Sequence, residues 1–179
     1  MENTSIIALS RAITLQRQME LVANNVANMN TTGFKSEQPL FIEYVNRPQR
    51  DEKYSMVQDY STLRDLAAGP ITQTGNPLDV ALEGDGYLTV DTIDGPRYTR
   101  NGNLTLNSER QLVNSQGLPV LDDSGNPLTI PQNTSDITIN PDGTVLGGNI
   151  QLGKLGIATF KNEQFMTQMG NGLYQTDEK

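Results

Sequence analysis

Between Ala8 and Met29 the residues Ala8, Ala12, Leu15, Met19, Val22, Val26 and Met29 succeed one another at spacings of 4, 3, 4, 3, 4 and 3. That rhythm is a heptad seam. It predicts one amphipathic helix from Thr4 to Met29, with Asn3, Thr4 or Ser5 capping its first amides. Ile6, Leu9 and Ile13 add a second apolar strip in the first half, so this end can touch more than one neighbour. At 1.5 Å per residue such a helix is ~38 Å long, longer than the small β-domain it would have to lie against. Burial of Leu15, Met19, Val22, Val26 and Met29 stabilises by roughly 1.5 to 3 kcal/mol each, whereas fixing the backbone costs about 1 to 2 kcal/mol per residue. A seam facing water would fray, so the pattern predicts partner helices. The plainer alternative is a helix packed on the chain's own domain.

The helix ends in a cluster of poor helix formers. Asn24 and Asn28 share a face, and Asn25 sits about a hundred degrees away. Their amides can hydrogen-bond across a close helix contact or simply accept water. Asn30 and Gly33 tolerate the positive φ at which helices stop. These features define an N-terminal assembly helix and turn over residues 1–33.

Residues 34–76 show no sustained period. They hold Pro39, Pro48 and Pro70, the charged run Arg47 to Lys53, and the scattered apolar points Tyr44, Tyr54, Tyr60 and Leu63. Such a segment reads as an extended arm or linker that orders against a neighbouring molecule. From residue 77 to 179 short apolar stretches alternate with turn signals about every ten residues. The expected strands are Asp79 to Leu82, Tyr87 to Thr92, Arg97 to Thr99, Leu104 to Leu106, Gln111 to Asn114, Pro119 to Leu121, Leu128 to Ile130, Ile137 to Ile139, Thr144 to Leu146 and Leu155 to Phe160. Gly84-Asp85-Gly86, Asn101-Gly102, Gln116-Gly117, Ser124-Gly125-Asn126 and Asp142-Gly143 punctuate them. The fold class is therefore mainly β: a long N-terminal α-helix, an extended linker arm, then an all-β sandwich or irregular barrel.

Composition narrows the chemistry. The 179 residues contain no Cys and no His, which removes thiol catalysis, thiolate metal sites, disulfides and every Ser-His or Cys-His arrangement. A formal net charge of −8 argues against nucleic acid and anionic membrane as partners. The first twenty residues carry no apolar run of signal-peptide length, and no stretch approaches the roughly 18 apolar residues of a membrane span. Neither a cleaved secretory leader nor membrane insertion is expected.

The remaining motifs read as turns. Gly84-Asp85-Gly86-Tyr87-Leu88-Thr89 begins like a dinucleotide fingerprint, but it lacks the third glycine and leads into a strand rather than a helix. Asp79, Glu83 and Asp85 are the residues a paired-carboxylate hydrolase would use, yet they fall in one turn region that favours acidic side chains. Asp122-Asp123-Ser124-Gly125-Asn126 offers oxygen ligands without the spacing and distal glutamate of a calcium loop. Catalytic residues, cofactors and resident metals are all expected to be none. Triplets such as Asn30-Thr31-Thr32 and Asn103-Leu104-Thr105 carry no glycosylation message without a leader.

Several stretches together resemble the bacterial flagellar basal-body rod and hook protein family. Ala23 to Lys35, ANNVANMNTTGFK, is similar to its N-terminal signature, and Gly75 to Leu82 with Gly84 to Leu88 resembles the start of its first β-domain. Tyr98 to Leu104, Gln111-Leu112-Val113, Leu152 to Gly156 and Gly170 to Tyr174 extend the likeness over most of the chain. The short central region resembles the proximal-rod, F-type class, with the distal-rod class as alternative. The resemblance implies a non-enzymatic axial subunit, exported by the flagellar type III apparatus without cleavage, that assembles helically with like and neighbouring rod subunits in the periplasm and transmits torque. A secreted carbohydrate- or peptide-binding β-module is the alternative from a different class.

On this reading Leu15, Met19, Val22, Val26 and Met29 supply association energy. Asn24, Asn25, Asn28, Asn30, Gly33 and Phe34 form the helix-to-arm part of the same assembly interface. Family members usually end in a second long helix that pairs with the first. Here the sequence stops at Thr176-Asp177-Glu178-Lys179, so the resemblance implies either a partial chain or an unusual member without that helix, and a downstream segment of roughly 50 to 70 residues with a heptad seam would distinguish the two.

Overall fold

The computed structural model describes residues 2–49, 52–132, 134 and 136–177, with side chains given for 5–42 and from 61 onward within that span. The side chains of Asn3, Thr4, Tyr44, Tyr54 and Tyr60 and of the run Arg47 to Lys53 therefore lie outside the described residues. The fold is mainly β with one N-terminal helix, and the chain divides into two compact units.

The first unit comprises 1–30 and 35–67. Helix α1 (Glu2–Ala27) starts before the expected caps, so Asn3, Thr4 and Ser5 lie within it. It is followed by β1 (Glu37–Gln49) and β2 (Glu52–Arg64), which pair antiparallel with Glu37 opposite Arg64 and a register shift between Leu40 and Phe41. Where the sequence pattern announces only an arm, the backbone forms a long hairpin. Pro39 and Pro48 are compatible with it because both strands of a two-stranded ribbon are edges, with amides that need no partner on the outer side. Thirteen residues per strand span ~44 Å at 3.4 Å per residue, long enough to support the whole helix. The matching surface is this hairpin rather than the small β-domain that the sequence pattern offers as a support. Helix α1 lies against this hairpin, as a two-stranded ribbon requires for stability.

The second unit comprises 31–34 and 68–179. Its strands are β3 (Tyr87–Val90), β4 (Arg97–Thr99), β5 (Leu104–Leu106), β6 (Leu112–Asn114), β7 (Ile137–Ile139), β8 (Thr144–Gly147), β9 (Ile150–Lys154), β10 (Ile157–Ala158), β11 (Thr167–Gly170) and β12 (Leu173–Gln175). They form a five-stranded antiparallel sheet in the order β10-β3-β4-β12-β11, a β5-β6 hairpin and a three-stranded β7-β8-β9 meander. Isolated bridges such as Val90 to Val120 and Asp122 to Leu155 link these pieces, and among the described residues no sheet closes into a barrel. Asp79 to Leu82, expected as a strand, is irregular, although the Val80 amide donates to the Gly102 carbonyl at 2.9 Å. A side chain at Gly102 would collide with that same Val80 carbonyl.

Leu88, Val90, Leu104, Leu112, Val120, Leu128, Ile130, Val145 and Leu155 make one buried apolar cluster. Tyr87, Met166 and Tyr174 make a second, with Tyr98 and Phe160 packed on it. Tyr87 and Tyr174 meet edge to face at 5.6 Å between ring centroids, the geometry that the aromatic quadrupole favours. The Tyr87 hydroxyl donates to Glu163 Oε2 at 2.9 Å, so this buried polar tip is satisfied.

Leu112→Ala removes a fully buried side chain and is expected to lower the unfolding free energy of the second unit by about 2 to 5 kcal/mol, measured by urea titration of near-ultraviolet tyrosine signal. Burial, reinforced by the Glu163 contact, raises the Tyr87 pKa above its ordinary value of 10.0. The unfolded chain therefore releases that proton first, and stability falls as pH climbs past 10. The Tyr87→Phe variant should show a shallower loss over that alkaline range in the same titration.

Candidate assembly surface

Helix α1 uses two faces differently. Ile7, Ser10, Thr14, Leu21, Asn25 and Asn28 are half-buried or buried, and Leu21 at 6% exposure is the most enclosed. This face is mostly polar, and its hydroxyls turn inward on the helix: Ser10 Oγ donates to the Ile7 carbonyl at 2.9 Å and Thr14 Oγ1 to that of Ser10 at 2.8 Å. The seam points elsewhere. Leu15, Met19, Val22, Val26 and Met29 are 53 to 73% exposed, and Ile6, Leu9 and Ile13 are exposed as well. At 100° per residue the centre of the seam lies ~125° from that of the covered face. The chain thus folds its helix onto its own hairpin while leaving the apolar side uncovered, an arrangement typical of interaction surfaces.

The foot of the helix is fixed by a polar cluster. The Asn25 side chain makes a pair of hydrogen bonds with the Glu37 backbone: its amide donates to the Glu37 carbonyl at 2.8 Å and its oxygen accepts from the Glu37 amide at 3.0 Å. This pins the start of β1 to the last turn of α1. Arg64 Nη2 donates to Glu37 Oε1 at 2.9 Å with both side chains largely shielded, and buried Lys35 donates to the Leu66 carbonyl at 2.7 Å. Asn28 donates to the Asn24 carbonyl and side-chain oxygen, each at 2.9 Å. Asn25 therefore serves the chain's own junction, whereas Asn24 and Asn28 are bonded to each other. Lys35, Glu37 and Arg64 were not singled out by the sequence, because isolated charges in an aperiodic stretch carry no burial signal.

Past the helix, Asn30 does not take the positive φ that its residue type allows, whereas Gly33 does at +74°. The Phe34 amide donates to the Thr31 carbonyl at 3.1 Å, closing the turn. Within the second unit this turn abuts the loop after β4, where the Arg100 guanidinium donates to the Leu82 and Gly84 carbonyls and stacks over the Tyr87 ring at 5.7 Å. Arg100 is a further residue that sequence reading passed over.

The acidic motifs behave as turns. Asp79 accepts from Thr74 Oγ1 at 2.7 Å and Asn76 Nδ2 at 2.9 Å, while Glu83 and Asp85 are exposed. Asp122 Oδ1 accepts the amides of Ser124 and Asn126 at 2.9 and 2.8 Å, an Asx turn. Among the described residues no three acidic side chains are placed to share a metal ion.

Comparison with known proteins agrees with the resemblance. The family model described as flagella basal body rod protein matches residues 7–35, and that of the flagellar hook protein FlgE/F/G D1 domain matches 81–147. The chain is 37% identical to the flagellar basal-body rod protein FlgF of Caulobacter vibrioides over 98% of its own length and 73% of that relative. The chain belongs to the flagellar basal-body rod protein family. It is also 31% identical to FlgF of Rhizobium meliloti, spanning 65% of it, and 31% identical to FlgG of Bacillus subtilis, spanning 68%. The rod family is one of structural subunits, not enzymes, so this chain is a structural component of the bacterial flagellar basal body and of the motility apparatus. Rod membership also implies assembly with other flagellar axial proteins.

Seam and foot should respond unequally in the free subunit. Leu15→Ser, on an exposed position, is expected to change unfolding free energy by less than about 0.5 kcal/mol. Arg64→Ala leaves the shielded Glu37 carboxylate without its 2.9 Å partner and should cost about 3 to 5 kcal/mol. Urea titration followed by helix circular dichroism reads both.

Proposed function

We propose that the seam of α1 is the docking surface by which this rod subunit joins its neighbours. Leu15, Met19, Val22, Val26 and Met29 would pack against equivalent helices of adjacent axial subunits, each contributing roughly 1.5 to 3 kcal/mol on burial. Asn24, Asn25, Asn28, Asn30, Gly33 and Phe34 would set where the helix hands over to the hairpin. On this reading residues 1–33 form the assembly helix and turn, 34–76 the arm that braces adjacent subunits, and 77–179 the β-domain of an outer layer.

The observation that supports it is the reversal of polarity on α1. The face covered by the chain's own hairpin is largely polar, and the apolar face is more than half exposed along its length. A helix that served only its own unit would bury the opposite side. The reading extends to a place in the proximal, periplasmic part of the rod, reached through the flagellar type III export apparatus without a cleaved leader, and to transmission of motor torque along the axis. It involves neither nucleic acid nor insertion into a membrane, and no helix among the described residues is long and apolar enough to cross one.

A Leu15→Asp, Val22→Asp double variant tests this in flagellated cells that carry no other copy of the protein. The expected result is a folded subunit absent from purified basal bodies, with motility lost. Incorporation at the wild-type level, with swimming retained, would refute the seam as the docking surface.

A further inference from the structure

We infer that Thr31–Phe34 is an anchoring clip of the β unit rather than a loop of the helix-hairpin unit whose elements it connects. The chain leaves the first unit at Asn30, contributes four residues to the second, and returns at Lys35 before crossing again at Ala67. The four residues are seated by close backbone packing. A Cβ placed on Gly33 would lie 2.6 Å from the carbonyl carbon of Arg100, 2.7 Å from its oxygen and 2.9 Å from the Asn101 amide nitrogen, separations that real side chains do not tolerate. Gly33 also has φ +74°, so glycine is required there both for conformation and for space.

The seat itself is held from behind. Arg100 bonds the Leu82 and Gly84 carbonyls and covers the Tyr87 ring. Thr99 Oγ1 donates to the Gly172 carbonyl at 2.9 Å and accepts from the Asn101 amide at 3.1 Å. The loop that Gly33 meets is therefore tied to β3, to the turn before it and to the turn before β12. The clip closes on a surface of the β unit that these bonds hold in place. This inference does not depend on the seam being an assembly surface.

Residue-resolved hydrogen exchange on the full chain, in rising sub-denaturing urea, decides it. The Phe34 amide, bonded to the Thr31 carbonyl, should keep its protection together with β3 amides after those of α1 have become exchangeable. Gly33→Ala should lower protection at Phe34 by about tenfold or more. Gly75→Ala serves as the matched control, since Gly75 has φ +81° with nothing within 4 Å of an added Cβ, and it should leave Phe34 unchanged. If Phe34 opens with α1 in the wild-type chain, the clip does not belong to the β unit and the inference fails. Equal protection of Phe34 in both glycine variants would overturn it as well. Should Gly33→Ala not fold, the order of opening in the wild-type chain still separates the two outcomes.

Discussion

The uncovered heptad seam of α1 is the constraint from which the rest of this molecule follows. A helix of 26 residues needs tertiary support, because isolated helices are held by little more than their own hydrogen bonds. The chain supplies that support with a hairpin of matching length, yet applies it to the face built from Ser10, Thr14 and Asn25. The apolar side stays available. The helix is thus ordered in the free subunit, so the proposed docking on its seam would carry a reduced ordering cost.

Presentation requires that the helix be gripped without its seam residues, and the foot of the first unit shows how. Hydrogen bonds from Asn25 to both backbone groups of Glu37, the shielded Arg64–Glu37 pair and Lys35 on the Leu66 carbonyl replace apolar packing there. Buried charge pairs of this kind contribute little net stability against an apolar alternative, but losing one partner is severe. They hold one geometry. The second unit follows the opposite logic, with two apolar clusters beneath short strands as its main support.

Periodicity made the helix and much of the β unit legible. Arg97 to Thr99, Leu104 to Leu106 and Ile137 to Ile139 appear as expected, since each short apolar stretch is bounded by turn residues. The hairpin was not legible, for a physical reason. Among its described side chains, Leu40, Ile42 and Leu63 are exposed while Glu37 and Arg64 are covered, so apolarity does not mark burial there. Strands β9, β11 and β12 escaped because each contains or adjoins glycine, which reads as a turn signal. Of the residues proposed for assembly, the seam could be read from spacing alone. The bonds made by Asn25 and the seating of Gly33 depend on contacts with Glu37 and Arg100 that no local pattern encodes.

The central claim is that the seam is wet in the free subunit and dry in the rod. The chain has no cysteine, so a Met19→Cys variant carries a unique thiol probe of that face. Maleimide labelling of the purified subunit and of intact basal bodies carrying this variant compares the two states directly. Rapid modification of the subunit and protection within the basal body is the predicted result. Equally rapid modification in both would contradict the account.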